Sequence, residues 1–188
     1  GIILSNVRKV TVRGMSIRGY TTGPGFRFGN RSRNNMLLNS RISNCQTGIE
    51  FRLQALSNVA QSNRVAKNVA DGIYFAGACR FNRVQAGYVW RNGNYGVNLG
   101  ADPTCNSNRI VSAFILTNSN VGVYLQGQFN YILSNRIVDN LQGIQLPDLN
   151  GSAFIGWNAI VRNKEYGVYM MSSAPATFIN NTLYSNAY

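Results

Sequence analysis

Histidine is absent from this chain, and acid is scarce. Its 188 residues include 6 Asp and Glu, 3 Cys and 4 Pro, and no His. The commonest general base and metal ligand at neutral pH is therefore missing, and no Cys-x-x-Cys pair stands in for a zinc site. No cofactor or metal is expected, because a calcium cage needs several convergent carboxylates and few are available. No apolar run approaches the length of a membrane span, and no charged-then-apolar leader opens the chain. It begins at Gly1-Ile2-Ile3-Leu4, inside its own pattern, as expected of a chain whose leader and N-terminal cap lie outside this sequence.

What is present is apolar and basic. Hydrophobic residues make up 45% of the chain, which excludes disorder, and the length suits one domain with a continuous core. Net charge is +12, and it is uneven. Residues 1–94 hold 14 Lys and Arg against Glu50 and Asp71, whereas residues 95–188 hold four bases against four acids. Such a one-sided field attracts polyanions.

A repeat organises the whole chain. Gly-Φ-x-Φ, where Φ is apolar, begins at Gly1, Gly25, Gly48, Gly72, Gly96, Gly122, Gly143 and Gly167, with spacings of 24, 23, 24, 24, 26, 21 and 24 residues. Between the glycines runs Asn-x-Φ-x-x-Asn-x-Φ-x-x-Asn, fullest at Asn130, Asn135 and Asn140. Apolar segments of two or three residues are strand-length and too short to bury themselves. Stacked in parallel about 4.8 Å apart, they enclose a common core. Gly and Asn suit the bends, since both tolerate left-handed backbone angles. Asn68, Asn92, Asn118, Asn140, Asn163 and Asn186 are then expected to form an internal ladder, each amide bonding the next coil.

This pattern resembles the right-handed parallel β-helix repeat families: pectate-lyase-like proteins, NosD-like periplasmic proteins, alginate epimerases and phage tailspikes. The resemblance covers every coil. It implies an all-β fold, a single-stranded right-handed parallel β-helix of about eight coils of roughly 23–24 residues, over residues 1–188 as a single domain. It is specific for fold and says little of activity, since these families share a solenoid and differ in chemistry.

Cys79 and Cys105 occupy the same place on consecutive coils, and one coil pitch falls within the Cα separation of a disulfide. A Cys79–Cys105 bond is the expectation, and with it an oxidising compartment. Cys45 falls where later coils place Asn68 and Asn92, so it reads as buried and unpaired.

Strand alternation turns the third residue of each Gly-Φ-x-Φ outward. Up the stack this gives Ile3, Arg27, Glu50, Tyr74, Asn98, Tyr124, Gln145 and Tyr169. Flat rings suit pyranose faces and amides suit hydroxyls, so the strip from Arg27 to Tyr169 is a candidate substrate-binding surface. A second strip is basic: Arg41 and Arg64, also candidate substrate-binding residues, occupy equivalent outward positions on adjacent coils. Arg83 with Arg109, and Lys67 with Arg91, match in the same way. Like charges stacked opposite one another are destabilising, which favours a shielding polyanion such as a uronate or sulfated glycan. No recognised nucleic-acid motif appears.

Lyases of the resembled families remove a proton beside a sugar carboxylate with Arg or Lys, commonly with calcium; their hydrolases use clustered Asp. Here Asp71, Asp102, Asp139 and Asp148 occupy different registers, and an epimerase-like site would require a His. A lyase-like core would rest on Arg52 beside Glu50, Asp71 and Tyr74. Neither end shows a helical or charged cap, and Leu183-Tyr184-Ser185-Asn186-Ala187-Tyr188 stops where a Gly is due. The expectation is a secreted protein, or one on a cell or virion surface, that binds acidic polysaccharide. The alternative is a structural solenoid whose copies stack head to tail into a filament, spike or sheath.

Overall fold

The computed structural model describes residues 1–100, 102–148 and 151–188. Each coil gives one short strand to each of three eight-stranded parallel sheets, and no helix occurs among the described residues. The Gly-Φ-x-Φ segments form the first sheet, from Ile2–Ser5 to Val168–Met170. The second runs from Thr11–Arg13 to Ala176–Ile179 and the third from Ser16–Arg18 to Thr182–Tyr184. The chain winds right-handed from sheet to sheet, as crossovers between parallel strands do.

Register is strict because each short strand turns alternate side chains into the core, and a slip of one residue would expose them. Phe28, Phe51 and Phe75 stack in the core on successive coils, with centroids 4.8 and 4.5 Å apart. Ile110, Ile132 and Ile155 line up from the second sheet, and Ile115, Ile137 and Ile160 from the third. Burying each such side chain contributes about 1.5–3 kcal/mol.

Buried amides close the corners. Asn68 Nδ2 donates to Asn92 Oδ1 at 2.9 Å, and the ladder continues through Asn118, Asn140 and Asn163 to Asn186. Cys45 begins it, donating its backbone N–H to Asn68 Oδ1. A second ladder runs Asn35–Asn58–Asn82–Asn108–Asn130. A third corner is broken: Asn135–Asn158–Asn181 is continuous, but earlier coils carry Gly87 and Ala113 there.

The sequence expectation for the bends holds in part: Asn34, Asn39, Asn44, Gly14 and Gly19 take left-handed φ in the early coils and Asn180 near the end, but the Asn68–Asn186 corner works differently. The residue with left-handed φ is the one before the ladder asparagine: Lys67, Arg91, Thr117, Asp139, Arg162 and Ser185 all have φ between 51° and 57°. Each costs about 1–2 kcal/mol of backbone strain, which the amide ladder beside it offsets. Nor do the repeat glycines serve backbone freedom. A Cβ on Gly72 would lie 2.5 Å from Val89 Cγ1 and 2.7 Å from Asn92 Nδ2, so glycine is required because the ladder packs against it.

The expected Cys79–Cys105 bond is not formed in this structure. Cys79 and Cys105 do share a register, since Asn106 N donates to Cys79 O, but both are buried free thiols. Cys79 Sγ donates to Ala76 O at 3.0 Å instead. Its hydrogen bond with Cys105, and then burial, push its thiol pKa up.

Candidate functional site

The outward column of the first sheet runs in unbroken register: Ile3 beside Arg27, Arg27 beside Glu50, Glu50 beside Tyr74, Tyr74 beside Asn98, then Tyr124, Gln145 and Tyr169. Outward does not mean exposed throughout. Glu50 and Asn98 are each only 7% exposed, because neighbouring coils cover them. Arg27 Nε donates to Glu50 Oε2 at 2.6 Å. Asn98 Nδ2 donates to Asp71 Oδ2 at 2.9 Å, and Asn98 Oδ1 accepts from Gly100 N.

Asp71 sits at the centre of this network, immediately before the repeat glycine of its coil. It also accepts from Asn94 Nδ2 at 3.1 Å and from Tyr95 N at 3.2 Å, so the next coil supplies all three donors. Burial is the largest influence and raises its carboxyl pKa, against those three hydrogen bonds; the nearby Glu50 raises it further. Tyr74 also titrates high, first from burial and then from Asp71 and Glu50, with Arg52 opposing. A carboxylate this enclosed holds the surface in shape more readily than it meets a solute.

What reaches solvent is Arg52, together with half-buried Tyr74, Tyr95 and Tyr124. Tyr95 and Tyr124 stack with centroids 4.8 Å apart, and a Cβ on Gly100 would strike the Tyr124 ring, so that glycine makes room for it. Tyr166 and Tyr169 repeat the arrangement nearer the C-terminus at 4.7 Å. Sequence reading missed Asn94 and Tyr95, which lie just before the repeat glycine rather than inside the motif. The alignment of Asp71 with Tyr95, one coil apart in the same position, was the available signal.

Arg41 and Arg64 stand apart from this column, as the separate basic strip read from the sequence. They are in register with each other, but on the third sheet and thus on a different side of the solenoid. Arg83 and Arg109 pair on the second sheet, where Arg109 lies 5.1 Å from the centre of the Tyr131 ring. Asp102 is held at a corner of the first sheet by Thr104 and the Gly77 N–H; burial opposes these bonds, yet its pKa ends below the ordinary carboxylate range. Asp139 pairs with Arg162 at 2.8 Å on the surface.

A family model described as periplasmic copper-binding protein (NosD) matches residues 1–153 and 91–188. No curated protein matches the chain. Among solved structures, the periplasmic alginate epimerase AlgG superposes with a TM-score of 0.82 at 14% identity, over 97% of this chain and 47% of that one. The A-module of mannuronan C-5 epimerase AlgE4 from Azotobacter vinelandii gives 0.73 at 18% identity, over 94% and 59%. Pectate lyase Pel9A gives 0.53 at 16% identity, over 94% and 56%. At such identities the likeness shows the parallel β-helix fold, and the chain spans about half the length of AlgG.

The donors present do not fit a copper ion. Copper sites draw on imidazole, thiolate and thioether. This chain has no His, and its three Cys lie fully buried in the core. No group of three or more His, Cys, Asp or Glu converges among the described residues. Of its four Met, Met15 and Met36 lie in the first two coils and Met170 and Met171 near the other end.

Proposed function

This chain belongs to the NosD family of parallel β-helix proteins, and from that premise we propose that it binds acidic polysaccharide outside the cytoplasm, along the outward face of its first sheet. The observation that carries this reading is the column of half-buried Tyr74, Tyr124, Gln145 and Tyr169 in one continuous register, with Arg52 exposed beside Tyr74. Ring faces take the apolar C–H faces of sugars, and amides pair with hydroxyls. The surplus charge of the N-terminal half favours a uronate or sulfated chain over a neutral one. Two kinds of likeness support the reading: AlgG and AlgE4 are alginate epimerases, and both the family description and AlgG are periplasmic. Lyase-like chemistry on this face would rest on Arg52, whose guanidinium is exposed near Tyr74.

Binding to oligomannuronate, oligogalacturonate and a neutral glucan, at low and high salt, tests the reading. Uronate binding that weakens with salt, and that falls when Tyr74 and Tyr124 are both changed to Ala, is the expected result. Unsaturated sugar ends appearing in the same samples would add elimination to binding. Failure of every uronate to bind at low salt would overturn the proposal.

A further inference from the structure

On the third sheet, one outward column reads Arg41, Arg64, Tyr88, Phe114 and Arg136 on five successive coils. Two residues on, the next outward column reads Ala66, Trp90 and Leu116. The rings are held, not loose. Tyr88 and Phe114 stack at 4.7 Å with planes 6° apart, and Trp90 stands at 87° to Tyr88. Since the stack runs along the solenoid axis, the Tyr88 ring lies across that axis and the indole plane runs along it, giving a corner with Trp90 and Leu116 on one side and Tyr88 on the other. A shallow cavity of about 370 Å³ fills that corner, lined by Arg64, Tyr88, Trp90 and Leu116. Small Ala66 beside Trp90 leaves one edge of it open.

Charge surrounds the corner without an acid to answer it. The ion pairs among the described residues are Arg27–Glu50 and Arg162–Asp139, so Arg41, Arg64, Lys67 and Arg91 form none. Lys67 and Arg91, at the bend that follows the Trp90 column, are both exposed. Tyr88 is 42% and Phe114 36% exposed, a large aromatic surface for sheet strands that turn their inner side chains fully into the core. Arg41 and Arg64 stand directly opposite each other, an arrangement that costs energy until an anion lies across them.

We propose that this face is a second docking platform for acidic polysaccharide, separate from the first sheet. A uronate ring packs on Trp90 against the Tyr88 wall, and its carboxylate meets Arg64. The ligand class rests on the reading given above; the surface does not. Single-stranded nucleic acid also uses aromatics with arginine, but it needs successive free ring faces for successive bases. Here Tyr88 and Phe114 spend their facing surfaces on each other, leaving one indole beside a charged corner, which suits one sugar and its acid group.

The chain has two Trp, so Trp157→Phe leaves Trp90 as the sole indole reporter. Titrating that protein with oligogalacturonate and oligomannuronate should shift Trp90 fluorescence saturably. Arg64→Gln should weaken the response about tenfold, the scale of one charge-assisted contact. The response should survive Tyr74→Ala with Tyr124→Ala, and melting curves would confirm that each variant folds. Uronate binding without a Trp90 response would overturn the platform and leave the first-sheet reading standing. No uronate binding at all would overturn both. An oligothymidylate that shifts Trp90 more tightly than either uronate would overturn the glycan assignment for this face.

Discussion

On the first sheet, Glu50 and Asp71 each take partners from a neighbouring coil; on the third, Arg41 and Arg64 stand beside each other and form no ion pair among the described residues. Both faces use the same backbone and the same register. Their difference lies in what their polar groups answer to. The first face answers to itself, so its charges mostly serve shape, and recognition falls to rings and amides. The third is left unbalanced, so its charge is available to something outside the molecule.

Asp71→Ala should produce the largest effect that separates the faces. It removes the acceptor for Asn94, Asn98 and the Tyr95 N–H together, and should destabilise the fold by about 2–4 kcal/mol, as loss of a buried polar network does. Urea unfolding measures this, and a change under half a kilocalorie would show that the network is dispensable. Arg27→Gln comes next. It leaves Glu50 covered with no cation against it and should cost about 1–3 kcal/mol by the same measurement.

A pH profile sharpens the contrast. Asp71 is raised from the ordinary 3.8 chiefly by burial, so the stability it adds is complete below 3.8 and is lost as pH rises through its folded value. Asp139 is lowered, first by its hydrogen bond from Arg162, so its contribution is present above 3.8 and is lost as pH falls through its folded value. Asp71→Asn should therefore remove a falling slope just above the carboxylate range, and Asp139→Asn a rising one at lower pH. Two slopes of the same sign would refute this account of Asp71. The smallest effect belongs to the third face. Arg41→Gln should change stability by no more than about 0.5 kcal/mol, or raise it slightly, because it relieves a like-charge pair. A loss above 2 kcal/mol would mean that the guanidinium is structural.

The solenoid was legible because it is written eight times. Any single Gly-Φ-x-Φ is weak, but its return at nearly constant spacing fixed the coil, the register of the outward column and the ladder from Asn68 to Asn186. What escaped depended on contacts between unlike residues on neighbouring coils. That Glu50 and Asn98 are covered follows from Arg27 and Asp71 reaching across, which a rule of alternation cannot see. At the Asn68–Asn186 corner the bends misled because asparagine's tolerance of left-handed angles, which Asn34, Asn39 and Asn44 do use, is outweighed there by its use as a buried donor one residue later. The Trp90 corner was recoverable from sequence, had the third-sheet strands been aligned as carefully as the first.

The route from the first sheet to the second varies in length while its destination stays fixed. From Phe75 to Arg83 is eight positions, from Leu99 to Arg109 ten, and from Leu125 to Tyr131 six, yet Arg83, Arg109 and Tyr131 stand side by side in the second sheet. The corner absorbs insertion and deletion so that the walls need not. Evolution can therefore graft a longer loop there, or trim one, while the strands on either side keep their register. A lineage carrying this scaffold can change what it presents to the world one coil at a time, much as a spiral binding accepts a wider page.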